Sequence, residues 1–161
     1  MGTDAYSGLL SEAESLLDGG DPRAAVILGN AALEQCCRSL LVTQLNLHGM
    51  PDDAVKVFLS YIRSFNPVGD DRFLKLLSAL LFNDDRINID KAVLDDLREA
   101  RRIRNKIVHE GKGISAENAT KMLLTLKRAT EKLQAHVERD IDNHIGSLSY
   151  ADDMADAYFG K

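Results

Sequence analysis

Apolar residues recur along the chain at intervals of three and four, and the strict alternation of a half-buried strand is nearly absent. That spacing predicts a first helix over 4–17, broken by Gly19-Gly20. Asp21-Pro22 restarts the pattern as an N-cap followed by a first-turn proline. The helix predicted over 22–46 carries Ala25, Ile27, Leu28, Ala32, Leu33, Cys36, Leu40 and Leu41 on more than one face, the pattern of a helix at the centre of a bundle. His48-Gly49-Met50-Pro51 reads as a turn, and two shorter helices follow over 52–65 and 71–82, separated by Asn66-Pro67-Val68-Gly69. After the Asn83-Asp84-Asp85 loop, a long helix over 90–110 stops at Gly111-Lys112-Gly113, and Ser115 caps another over 116–144. The expected fold is all-α: one bundle of five to six helices around an antiparallel pair of long helices. Residues 1–146 form the helical domain, and 147–161 read as an acidic tail, either disordered or docking.

At 161 residues the chain suits one domain. Its 45% hydrophobic and 28% charged residues argue against wholesale disorder. Cys36 and Cys37 are adjacent and have no other cysteine to pair with, so they read as small core hydrophobes in a reduced compartment. His48, His109, His136 and His144 are scattered without metal-ligand spacing, and no phosphate-binding Gly-rich loop or nucleophile elbow occurs, so neither metal nor cofactor is expected. With no basic-then-apolar leader and no uninterrupted apolar span, the expected location is the cytoplasm, away from membranes.

The net charge is −5, which excludes a tail-driven, histone-like nucleic-acid binder. The charge is uneven. Between Arg98 and Lys112 stand six basic residues (Arg98, Arg101, Arg102, Arg104, Lys106, Lys112) and two acidic ones (Glu99, Glu110), a local +4 that leaves −9 on the remainder. At about 100° per residue, Val93, Leu97, Ala100, Ile103, Ile107 and Val108 form one core stripe, and Arg104 falls near its middle. An arginine there is costly unless it is paired or opens into a solvated cleft. Arg104 and His109 diverge by about 140° on a regular helix, so either the helix distorts near its end or two copies face each other.

The run Arg104-Asn105-Lys106-Ile107-Val108-His109 at the end of a long helix, before a glycine turn and a second long helix, resembles the R-x(4–6)-H motif of the HEPN superfamily. The similarity in helix order covers roughly residues 4–144. The resemblance implies a homodimeric, metal-independent endoribonuclease whose two motifs share a cleft, acting in toxin–antitoxin or antiviral defence systems with an antitoxin or other defence protein as partner. It assigns Arg104 and His109 as the catalytic pair and Asn105 as the polar position after the arginine. Gly111 stands where one toxin subgroup carries a tyrosine. The chemistry suits these residue types: histidine exchanges a proton near neutrality and an arginine fork holds phosphoryl oxygens. Arg98, Arg101, Arg102, Lys106 and Lys112 would steer the RNA backbone. The alternative is a non-catalytic HEPN module that dimerises and binds a protein or nucleotide.

Plainer roles stand beside these. Arg104 would pair with Glu34 of the central helix, Asn105 would bond between helices, and His109 would close a helix C-terminus. Arg101, Arg102 and Lys106 would be a solvated face, and His136 and His144 surface residues. The tail, if it docks, would lie on the +4 segment as an acidic plug.

Overall fold

The computed structural model describes residues 3–62, 65, 71–83 and 91–159, which form six α-helices and no strand. These are α1 (Thr3–Asp18), α2 (Pro22–Leu47), α3 (Asp52–Ser60), α4 (Asp71–Ala79), α5 (Lys91–Glu110) and α6 (Ala116–Phe159). The expected breaker at 66–69 and the loop residues Asp84 and Asp85 lie outside the described residues. The all-α bundle expected from the spacing is what forms.

Capping residues start the helices where the sequence places them. The Asp21 carboxylate accepts the Ala24 N–H at 3.0 Å ahead of Pro22, which lacks an N–H to satisfy. Ser115 Oγ accepts the Asn118 N–H at 3.3 Å at the start of α6. The two short helices end sooner than periodicity suggests. At α3 the Tyr61 and Ile62 N–H groups return to Phe58 and Leu59, three residues back, which tightens and closes the turn. At α4 the Leu81 N–H bonds the Ser78 carbonyl in the same way, and the next two N–H groups are taken by Asp140 of α6.

The breadth of the apolar surface on α2 has its counterpart in position: α2 packs against each of the other five helices. Leu33, Cys37 and Leu41 meet Leu97 and Ile107 of α5, Leu126 and Leu133 of α6, and Leu77 of α4 in one core cluster. By length and composition α2 is apolar enough to cross a membrane, although the sequence reading found no such span. Here half of that apolar stretch is buried against neighbouring helices, as in the core helix of a globular bundle, while Ile27 and Leu47 are exposed. Gly29 lets α2 and α6 approach closely, since a β-carbon there would sit 2.4 Å from Leu123 Cδ2 and 3.1 Å from Leu126 Cδ1. Both cysteines are buried and free. Burial, helped by the nearby Glu138 charge, pushes the Cys36 thiol up to about 12, and burial lifts Cys37 well above its usual value. They pack as hydrophobes and stay protonated.

Helix α6 departs most from expectation. It does not stop at His144 but runs 44 residues to Phe159, about 66 Å at a rise of about 1.5 Å per residue. Its backbone carries straight through Gly146, the only residue of the span that strongly disfavours a helix interior. Every residue from Ile145 to Tyr150 is exposed.

Candidate functional site

Helix α5 carries the +4 segment and delivers Arg104, Asn105 and His109 to the end of the α5–α6 hairpin. Leu97, Ala100 and Ile107 are buried and fix its rotation, with Val93 and Ile103 partly buried beside them. The core stripe is narrower than expected: Val108 is 46% exposed, because it lies at the stripe's edge in the last turn, beyond the reach of α2. The helix is continuous through Glu110 and then stops at Gly111, whose φ of 64° is the left-handed conformation that favours glycine. The Lys112 N–H returns to the Lys106 carbonyl at 3.3 Å and closes that end.

Arg104 is half-buried. Its Nη1 donates to Asn105 Oδ1 at 3.2 Å, so arginine and asparagine are held together as neighbours. Arg104 makes no ion pair with any described carboxylate. The expected Glu34 pairing does not form, because α2 turns Glu34 outward to solvent. His109 is exposed in the last turn, where a positive imidazolium meets the helix dipole favourably. Since α5 stays helical, about 140° continues to separate Arg104 from His109, and one chain does not converge them.

The surrounding cations divide into two groups. Arg98 bridges Asp95 at 2.7 Å, Arg102 grips Glu99 through two nitrogens, and Lys112 bridges Glu110 at 2.7 Å, all on exposed surface. The hydrogen bond from Arg102 holds the Glu99 carboxyl below its ordinary range, and that from Lys112 does the same for Glu110. Such exposed pairs are screened by water and hold their geometry weakly. Arg101 and Lys106 are half-buried and form no ion pair among the described residues. The Lys106 charge still acts on Glu99 and Glu110, so Arg101 and Arg104 are the cations of the segment without an ion pair among the described residues. A groove of about 430 Å³ between α5 and α6, lined by Asp96, Glu99, Ile103, Asn118, Lys121, Met122 and Thr125, includes neither Arg104 nor His109. Among the described residues no group of three or more His, Cys, Asp or Glu is placed to hold a metal ion.

A second polar cluster escaped the sequence reading. Asp140 is only 4% exposed; its carboxylate accepts the Phe82 and Asn83 N–H groups at 2.9 Å each and Asn83 Nδ2 at 2.8 Å. Phe82 is sandwiched between His48, 4.5 Å away, and His144, 3.8 Å away and almost parallel. His48 Nε2 lies 2.6 Å from the Leu80 carbonyl. His144 is thus half-buried packing rather than the surface residue expected of it, because the helix rotation set by Leu133 and Val137 turns it toward Phe82. The signal was present: Leu126, Thr130, Leu133, Val137, Asp140 and His144 share the three-four spacing of the buried stripe of α6. No family model, curated protein or solved structure matches the chain.

Proposed function

We propose that the chain is a HEPN-type, metal-independent endoribonuclease whose working form is a pair of copies. The observation that carries this reading is the half-buried Arg104, bound to Asn105 and without a carboxylate partner among the described residues, on the helix that presents an exposed His109. A half-buried guanidinium with no counter-ion among the described residues suits an anionic ligand with paired oxygens, such as a phosphodiester. Arg101 and Lys106 extend that charge along the backbone path.

Two copies are needed because the helix keeps Arg104 and His109 apart, and because the reaction needs two proton carriers. One neutral His109 removes the proton of the ribose 2′-hydroxyl. The 2′-oxygen then attacks the adjacent phosphorus, Arg104 stabilises the charge gathering on the non-bridging oxygens, and the P–O5′ bond breaks. The other His109, protonated, gives its proton to the leaving 5′-oxygen. The products are a 2′,3′-cyclic phosphate and a 5′-hydroxyl. Asn105, already bonded to Arg104, holds the fork in position. Within the same reading the protein is a cytoplasmic effector of a defence or toxin–antitoxin system, restrained by an antitoxin or defence partner.

The test incubates purified protein with mixed RNA in EDTA. Wild type is expected to cleave and leave cyclic phosphate ends, and His109→Ala to lose about 10²-fold or more of the rate. Absence of cleavage by wild type, with Arg104→Ala altering self-association instead, would replace this reading with that of a non-catalytic binding module.

A further inference from the structure

We infer, resting on the nuclease reading above, that the substrate is single-stranded RNA and that its strand passes from Arg104 over the first two turns of α2. There Arg23 holds a further phosphate, and Ile27 and Val108 cover the face of an unstacked base.

The helix register brings these residues level. Gly29 sits against Leu123 and Leu126, and His48 and His144 stack on the two sides of Phe82, so α2 and α6 run parallel. Ile103 of α5 shares a groove with Asn118 and Met122 of α6, and the short turn after α5 makes it antiparallel to both. Arg104 thereby comes level with the first two turns of α2, which carry Arg23 and Ile27. Helices α3 and α4 lie toward the other end of α2, where His48 meets the Leu80 carbonyl and Arg38 lies over Phe65.

Helix rotation puts the same residues on one flank. On α2, Ala32 and Cys36 cluster with Tyr6 and Leu10 of α1, and Gly29 meets α6. The remaining buried side, with Val26, Asn30, Leu33 and Cys37, faces α5. At about 100° per residue, Arg23 and Ile27 follow next around the helix, beyond α5 and away from α6. On α5, Asp96, Glu99 and Ile103 line the groove with α6, and Leu97, Ala100 and Ile107 are buried. Arg104, Val108, Arg101 and Asn105 come next, turning away from α6 to adjoin the flank of α2.

This face carries one sign of charge. Arg23 is exposed and, like Arg101 and Arg104, has no ion pair among the described residues. The single carboxylate of α2, Glu34, lies about 10 Å along the helix from Ile27. The Asp21 carboxylate is occupied by the Ala24 N–H, and on α5 Asp95 and Glu99 are held by Arg98 and Arg102. Three guanidinium groups without carboxylates suit successive phosphates. Ile27 and Val108 are exposed apolar groups beside them. An unstacked base offers such groups an apolar face, whereas a duplex keeps its bases inside and presents phosphates and sugars.

The experiment measures binding of a labelled strand of about 12 nucleotides, 2′-O-methylated so that it has no attacking hydroxyl, by fluorescence anisotropy. RNA cleavage in EDTA is followed in parallel, and circular dichroism checks that each variant folds. Arg23→Ala is expected to weaken binding about fivefold or more and to lower the slope of log Kd against log salt by about one. Arg23→Lys should recover part of the loss. Arg128→Ala, which removes an exposed arginine from the groove between α6 and α1, should bind as wild type does. In cleavage, Arg23→Ala should raise KM and leave kcat unchanged, because the contact is the same before and during reaction. Ile27→Ser should weaken the single strand and leave a duplex of equal length unaffected. Wild-type affinity in Arg23→Ala, or an equal loss in Arg128→Ala, overturns the Arg23 contact. No loss in Ile27→Ser, or an equal loss for the duplex, overturns the base contact. Cleavage with KM unchanged in Arg23→Ala overturns the strand path and leaves the nuclease reading standing. Binding that depends on Arg23, with no cleavage by wild type, removes the nuclease reading and leaves the strand path.

Discussion

Asp140 is the residue on which the joint between α4 and α6 depends. Its nearly buried carboxylate receives the Phe82 and Asn83 N–H groups and the Asn83 side-chain amide. A hydrogen bond to a charged group contributes about 1.5–3 kcal/mol net. Phe82 is half-buried and Asn83 exposed, so water partly replaces the lost partner and the lower end of that range applies. Asp140→Ala is expected to cost about 3 kcal/mol, since the Phe82 and Asn83 N–H groups lose their acceptor while Asn83 Nδ2 keeps the residue-140 carbonyl at 3.3 Å. Asp140→Asn, which keeps one acceptor and turns an amide toward the other donor, should cost about 2 kcal/mol. For a chain of this size those losses lower Tm by about 4–12 °C.

The pH dependence has a definite sign. Burial pushes the Asp140 carboxyl up, but the Phe82 and Asn83 donors together outweigh it, so it sits below its ordinary value of 3.8. A folded value below the unfolded one means the stabilisation is complete above the unfolded value and is lost as pH falls through the folded one. Urea unfolding followed by far-ultraviolet circular dichroism should show the full gap between wild type and Asp140→Asn at neutral pH. The gap should shrink below about pH 4 and close once the wild-type carboxyl is protonated. A variant within about 0.5 kcal/mol of wild type at neutral pH, or a gap that stays constant into acid, would refute the assignment of this energy to a charged acceptor.

Gly29→Leu should destabilise by about 3 kcal/mol in the same urea assay, since its β-carbon alone would overlap Leu123; Leu123→Ala in that background should recover part of the loss. Asp21→Ala should cost about 1 kcal/mol by removing the cap on Ala24, with Asp21→Ser close to wild type. Cys36 and Cys37 should resist a thiol-specific disulfide reagent in the native state and react together on unfolding, the rate following denaturant concentration; rapid native labelling would contradict their burial.

Most of the architecture was legible in local pattern. The three-four spacing, the Asp21-Pro22 start, the Gly111 stop and the multi-faced apolar surface of 22–46 are properties of neighbouring residues, and local sterics and hydrogen bonding act on them before any tertiary contact forms. The same wheel picked out Arg104 as a cation on an apolar stripe. It did not show whether a carboxylate met it, because that depends on how α2 is rotated. Glu34 points away, and the arginine has no ion pair among the described residues.

Three things were decided only by the folded chain. Asp140 and His144 read as ordinary polar positions until Phe82 was brought against them from a residue 58 positions earlier in the hydrogen-bonded pair. The basic segment lost Arg98, Arg102 and Lys112 to exposed pairs with their own neighbours, leaving Arg101 and Arg104 without an ion pair among the described residues. Helix α6 continued through Gly146 to Phe159, past the point where local pattern ended it. Helix propensity and amphipathic period are short-range and can be read along a chain. Which polar groups find partners depends on the relative rotation and length of whole helices, and packing against several neighbours sets that at once.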